Sequence, residues 1–132
     1  MTSECVYRVS VCQKMNARHC FPDSRDPGER KEHEHHYRVK LTVESDILDE
    51  WGYVVDITVL RETLRRILDT FNGTLLNGHP QLHGDLPSIE NLARSICGQL
   101  GAQEDVQRKA AEVTITEEDD SSATCREERS CE

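Results

Sequence analysis

The chain has 132 residues, of which 36% are hydrophobic, and 25 acidic against 16 basic side chains give it a net charge of −9. That length accommodates one hydrophobic core of ordinary size and not two. The charge argues against an electrostatic nucleic-acid binder, and no segment reaches the ~18 apolar residues of a membrane-spanning helix.

From Cys5 to Cys12 the residues alternate, Tyr7, Val9 and Val11 against Val6, Arg8 and Ser10. This predicts a strand whose extended run continues to Ala17 or His19. Phe21 to Gly28, with two prolines and a glycine, reads as a loop. A second strand follows over roughly His35 to Ser45, and Asp46 to Gly52 reads as a turn. Because side chains alternate along a strand, His33, His35, Tyr37, Val39, Leu41 and Val43 share one face, and His36 points to the other.

Tyr53 to Asp56 leads into a helix that Asp56 or Thr58 can cap. Leu60, Leu64, Ile67, Leu68 and Phe71 form its inner face, Arg61, Glu62, Arg65 and Arg66 its wet face, and Asn72-Gly73 ends it. Leu75 to Leu86 is loop-like. Pro87-Ser88 opens a second helix with Ser88 as N-cap, Glu90 in the first turn, Ile89, Leu92, Ala93, Ile96 and Leu100 inward, and Gly101 as its stop. A third strand is predicted over about Ala111 to Thr116 and a short fourth within Ser122 to Arg126. The order strand, strand, helix, helix, strand, strand predicts an α+β domain over 1–120, a four-stranded antiparallel sheet with two helices on one face. Residues 121–132 are expected to add a short edge strand and an acidic, solvated tail. So small a sheet keeps open edges, which assembly with further copies would cover.

Six cysteines without a C-x-x-C pair, and a Met1-Thr2-Ser3-Glu4 start that lacks a leader pattern, lead us to expect reduced thiols and a cytoplasmic location. The chemistry concentrates at His33-Glu34-His35-His36-Tyr37. Imidazoles at i and i+2 on one strand face can reach a single cation, and His19 is a candidate third ligand. Three such ligands leave one position open, as in catalytic zinc sites. The competing reading of the pair alone is a solvated, His-rich start to a strand.

Taken together, these residues resemble the family of 6-pyruvoyl tetrahydropterin synthase and its bacterial relative, 6-carboxytetrahydropterin synthase. Met15-Asn16-Ala17-Arg18-His19 is similar to the family's F-x-A-x-H, His33-Glu34-His35-His36-Tyr37 to H-G-H-x-Y, and Gly52-Tyr53-Val54-Val55-Asp56-Ile57 to G-x-x-x-D-F. Leu76-Asn77 matches L-N, Pro87-Ser88-Ile89-Glu90-Asn91 matches P-T-x-E-N, and Glu117 matches the glutamate at a strand end. The resemblance implies the tunnelling fold (T-fold), with trimers pairing into a homohexamer. It also implies Zn2+ on His19, His33 and His35, a reduced-pterin triphosphate such as dihydroneopterin triphosphate as substrate, and Glu117 gripping the pterin ring, with Ser88 and Glu90 as further substrate contacts. A carboxylate suits adjacent N–H donors of a pterin. Outside the resemblance, Glu117 reads as a solvated acid heading an acidic run.

Three positions depart from the family pattern. The family's catalytic cysteine, four residues before the first His of H-G-H, is Glu29. The Asp-His pair of L-D-H-x-x-L-N is Asn72-Gly73, which cannot shuttle a proton. The glycine of H-G-H is Glu34. One branch of the family carries glutamate at the cysteine position and cleaves the pterin side chain, so Glu29 is a candidate general base; its other reading is an ordinary loop acid. Asp69 and His79 are nearby substitutes for the lost pair at the wrong spacing, and Cys20 is an alternative nucleophile. The leading functional expectation is a zinc-dependent lyase acting on a reduced pterin. The alternatives are a pterin- or purine-binding relative with altered or lost catalysis, and a His-rich metal-buffering protein.

Overall fold

A computed structural model of the chain describes residues 5–101, 103 and 108–129. Its frame is a four-stranded sheet in the order β1-β2-β3-β4, formed by β1 (Tyr7–His19), β2 (His33–Ser45), β3 (Ala110–Glu117) and β4 (Ser121–Glu128). Every neighbouring pair is antiparallel. The helices α2 (Ile57–Asp69) and α3 (Ile89–Gly101) cover one face, α2 over β1 and α3 over β3 and β4. This is the α+β arrangement that the alternation and helical periods predict.

The period-2 pattern sorts the two faces cleanly. Met15, Ala17, Tyr37, Val39, Leu41, Val43, Val113 and Ile115 point toward the helices and are buried. Leu60, Leu64, Ile67 and Leu68 of α2, Phe71 just after it, and Leu92, Ala93, Ile96 and Leu100 of α3 fill the space opposite. Asp56 caps α2 by accepting from the Thr58 N–H at 2.8 Å, and Ser88 caps α3 by accepting from the Asn91 N–H at 3.1 Å. The helix-free face is polar. There Arg8 lies 3.0 Å from Glu44 and 2.6 Å from Glu112, and Arg126 lies 2.8 and 3.2 Å from the same two carboxylates. This four-charge network ties all four strands together.

Four boundaries differ from expectation. β2 begins at His33, two residues early, because it pairs with β1 as far as His19↔His33. β4 runs on to Glu128, since its pairing with β3 continues to Ala110↔Glu128. The predicted loop over Phe21 to Gly28 contains the start of a one-turn helix, α1 (Pro27–Arg30). Asp26 caps it and Pro27 stands at its first position, a start signal that was present in the sequence. A 3-10 turn, Pro80–Leu82, lies within the predicted Leu75 to Leu86 loop. The expected tail past Arg129 falls outside the described residues. No helix among the described residues is long and apolar enough to cross a membrane.

Leu41 sits on an inner strand with none of its surface exposed. Leu41→Ala is expected to lower unfolding free energy by about 2–5 kcal/mol, the usual cost of a leucine-sized cavity, as read from urea unfolding at fixed protein concentration.

Candidate metal and ligand site

The antiparallel register brings three imidazoles together at one end of the sheet. His19 and His33 are cross-strand partners, and His35 stands two residues along β2 on the same face. Ring centroids lie 4.8 Å apart for His19 and His33, and 4.3 Å apart for each of the other two pairs. His19 is 3% exposed; His33 and His35 are half-buried.

The ring nitrogens divide into two sets. The outward Nδ1 atoms are occupied: His33 against the Lys31 carbonyl at 2.7 Å, His35 against Glu118 Oε1 at 3.1 Å, and His19 against the Tyr37 hydroxyl at 3.2 Å. A carbonyl or carboxylate can only accept, so the Nδ1 atoms of His33 and His35 carry the proton and their Nε2 atoms are left as lone pairs, whereas the Tyr37 hydroxyl can donate to His19 Nδ1 or accept from it. The Nε2 atoms of His19 and His35 are buried and have no hydrogen-bond partner. The Glu29 carboxylate lies 3.7 Å from His33 Nε2 and 4.0 Å from His19 Nε2. Ligand atoms of His19, Glu29, His33 and His35 all lie within 4.8 Å of one another, so this group could hold a metal ion. Orphaned, buried imidazole nitrogens backed by acceptors on their far sides are what a metal ligand set requires.

Contacts from outside the hairpin hold these residues in place. After α2 the chain turns back along the end of β1. Asn16 N–H donates to Asn72 Oδ1, Gly73 N–H to the Asn16 carbonyl, Arg18 N–H to the Thr74 carbonyl, and Leu76 N–H to the Arg18 carbonyl, at 2.7–2.9 Å. Asn77 completes the seam: its side chain accepts from the Cys20 N–H and donates to the Cys20 carbonyl, both at 2.9 Å. His19 is therefore gripped on either side. Gly73 has φ 76°, a conformation for which glycine is the default. Asn72 and Gly73 thus serve as a turn where the family motif has an acid and a histidine. On the other side of the site, the Phe21 N–H donates to the Glu29 carbonyl at 2.6 Å and fixes the base of the Glu29 side chain.

The substitutes suggested for the lost pair do not serve. Asp69 pairs with Arg65 at 2.8 Å on the wet face of α2. His79 uses both ring nitrogens, Nε2–H donating to the Thr70 carbonyl at 2.7 Å and Nδ1 accepting from the Gln81 N–H at 3.1 Å, so neither nitrogen is free to pass a proton to a substrate. His36 lies on the opposite strand face, exposed, with its Nδ1 2.7 Å from Asn16 Oδ1. Glu34 is likewise exposed on that face, away from the imidazoles. Cys20 is half-buried next to His19 and enters the site through its backbone.

Glu117 ends β3 on the imidazole face, its carboxylate 3.2 Å from His35 Nδ1 and 3.8 Å from His19 Nε2. Its side chain accepts no hydrogen bond from the described residues. Burial, and next the charges of Glu29 and Glu118, push its carboxyl above the usual range against the pull of His35. Glu118, which motif reasoning missed, holds its carboxylate on the His36 N–H at 3.0 Å as well as on His35 Nδ1. The His36 N–H, and then His35, lower its pKa. Glu118 reaches this position through a left-handed backbone, φ 51°, which strand alternation could not have signalled. Ser88 and Glu90 are not drawn into the imidazole group: Ser88 caps α3 and Glu90 is exposed on its first turn. Their neighbour Pro87 is what touches His19.

The chain matches the family model described as 6-pyruvoyl tetrahydropterin synthase over residues 8–128 and belongs to that family. It is 28% identical over 100 residues to the 6-carboxy-5,6,7,8-tetrahydropterin synthase of Bacillus subtilis, covering 73% of this chain and 66% of that protein. Among solved structures, 6-pyruvoyl tetrahydropterin synthase from Caenorhabditis elegans superposes with a TM-score of 0.76 at 19% identity, over 96% of this chain and 99% of that one. A Plasmodium vivax 6-pyruvoyltetrahydropterin synthase in which a catalytic glutamate is replaced by alanine gives the same TM-score at 17% identity, over 96% and 100%. The fold is the T-fold of these structures.

Two outcomes follow. Asn77→Ala removes both hydrogen bonds to Cys20 and should weaken divalent-metal binding by roughly 10- to 100-fold in a chelator competition, the usual effect of losing a contact that orients a ligand. Burial, reinforced by the charges of His35 and His33, lowers the pKa of His19 from 6.5 to about 4. As pH falls below 6.5 the unfolded chain takes up a proton that the folded chain refuses, so the metal-free protein should lose stability progressively down to about pH 4. The loss should be at most about 3 kcal/mol, and His19→Gln should flatten it in urea unfolding across that range.

Proposed function

We propose that the protein is a zinc-dependent pterin lyase, acting on dihydroneopterin triphosphate or a closely related reduced pterin. The observation that carries this reading is the convergence of His19, His33 and His35 beside the Glu29 carboxylate, with the Nε2 atoms of His19 and His35 buried and unpartnered. Three imidazoles with a carboxylate suit zinc better than magnesium or calcium, which prefer all-oxygen sets. Bound there, zinc would act as a Lewis acid toward an oxygen of the substrate side chain.

The chain's own residues divide the remaining work. Glu117 offers a half-buried carboxylate with no donor of its own, suited to the adjacent N–H and amino groups of a pterin ring. Ser88 and Glu90, following Pro87, add polar contacts at the rim of the site. Glu29 accepts the proton taken from the side chain, the role its place beside two imidazoles supports. A glutamate is called catalytic in the Plasmodium vivax relative, and Glu29 is this chain's candidate for that part. A homohexamer built from two trimers fits the outer edges of β1 and β4, which lie at the ends of the sheet order. Cys12, Cys20, Cys97 and Cys125 are thiols, which suits the cytoplasm.

A second reading, a pterin-binding protein without turnover, is favoured by Asn72 and Gly73 serving as a turn where the family's proton-shuttling pair would stand. Incubation with dihydroneopterin triphosphate and zinc separates the two. Under the lyase reading Glu29→Gln loses turnover by about 10² to 10⁴ and still binds pterin, whereas Glu117→Gln loses pterin binding. Wild-type protein that binds pterin and leaves it unchanged would select the second reading. Light scattering should give three or six times the 15.1 kDa chain mass.

A further inference from the structure

We propose that Glu29 is the fourth ligand of the resting metal centre and is displaced by a side-chain oxygen of the substrate, so that the carboxylate closing the site becomes its base. This rests on the pterin-lyase reading and adds to it a closed resting state. Three imidazoles alone would leave an open position for water; this chain brings a fourth donor to the same point.

The argument starts from which atoms face one another. The Lys31 carbonyl and the Glu118 carboxylate hold the Nδ1 protons of His33 and His35, so their Nε2 atoms are acceptors, and His19 Nε2 is buried beside them with no hydrogen-bond partner. The Glu29 carboxylate is also an acceptor. Its nearest charged or ring neighbours are those nitrogens, at 3.7 and 4.0 Å, and it accepts no hydrogen bond from the described residues. Acceptors turned toward one point repel one another unless a cation stands between them. Donors about 2.0–2.1 Å from a tetrahedral ion are roughly 3.3–3.4 Å apart, so the two Glu29 separations would close by about 0.3–0.7 Å, and the widest pair of the group, within 4.8 Å, by up to about 1.5 Å.

Glu117 cannot fill the same place. It approaches His19 Nε2 at 3.8 Å but meets His35 at Nδ1 rather than Nε2, and it falls outside the group of mutually close donors that includes Glu29. Glu29 is also on an element that can yield. It rides on the one-turn α1, capped by Asp26 and fastened through the Phe21 N–H, and its side chain is 37% exposed. A substrate oxygen that takes its place frees the carboxylate within reach of the same side chain. Glu29 then removes one proton and becomes the carboxylic acid, and the electron pair of the broken bond stays on the substrate.

Chelator competition for Zn2+ and the visible spectrum of the Co2+-loaded protein test this without turnover. Wild type, Glu29→Gln, Glu29→Ala and His19→Ala are compared, with and without neopterin, a pterin bearing a hydroxylated side chain. Both Glu29 variants should bind Zn2+ at least about tenfold more weakly than wild type and show an altered Co2+ spectrum. Neopterin should shift the wild-type spectrum toward that of the variants. Because Glu29 is partly exposed on a surface loop, these variants should retain the wild-type circular dichroism. Glu29 variants with wild-type Zn2+ affinity and Co2+ spectrum, alongside a His19→Ala variant that loses metal, would overturn the ligand role and leave the metal reading standing. If His19→Ala also kept full affinity, or wild type bound no metal, both would fall.

Discussion

The register between β1 and β2 is the constraint on which the rest depends. His19 is opposite His33 because Val9 meets Val43, Val11 meets Leu41 and Met15 meets Tyr37 along the same ladder. A slip of one residue would turn every side chain of β1 to the other face, taking His19 from beneath the helices to the polar side. The loop joining the strands is too long to set the register as a tight turn does. It is set by apolar partners on the helix face, and on the other face by the Ser10–Thr42 hydroxyl pair at 2.8 Å and the Arg8–Glu44 ion pair. The core and the site are products of one pairing.

Given that register, what makes the imidazole group chemically useful is its surroundings. Each ring is held from behind by a group from a different source: a carbonyl just before β2, a carboxylate in the β3–β4 turn, and the Tyr37 hydroxyl of β2 itself. The inner nitrogens of His33 and His35 are thereby left unprotonated and aimed toward His19. The cost is two buried ring nitrogens without partners, on His19 and His35, in a group that could hold a cation. Asn77 adds a similar economy, because one side-chain amide supplies the two ladder bonds that the end of β1 would otherwise lack.

Much of this was legible in the amino-acid order. Alternation placed the imidazoles and the core residues of β2 on one face, and the 3.6-residue period found both long helices with Asp56 and Ser88 at their starts. The His33–His35 pair drew attention to His19 as a third ligand, motif resemblance added Glu29 and Glu117, and the fold places all three at one end of the sheet. What escaped was decided by distant contacts or by unusual backbone. The function of Asn77 depends on a seam between segments some 57 positions apart. Glu118 swings onto His35 only through a left-handed turn residue. The start of β2 at His33 depends on a partner, His19, whose own strand end was uncertain. α1 is different: its Asp-Pro start was visible, and the abundance of turn-forming residues around it concealed it.

The central claim is that His19, His33 and His35 are preset as metal ligands by contacts to their Nδ1 atoms. Long-range ¹H–¹⁵N NMR of the metal-free protein near pH 7 reports the tautomer of each ring directly. The account predicts that all three are neutral with the proton on Nδ1 and an unprotonated Nε2. Rings that carry the proton on Nε2, or that exchange rapidly between tautomers, would contradict it.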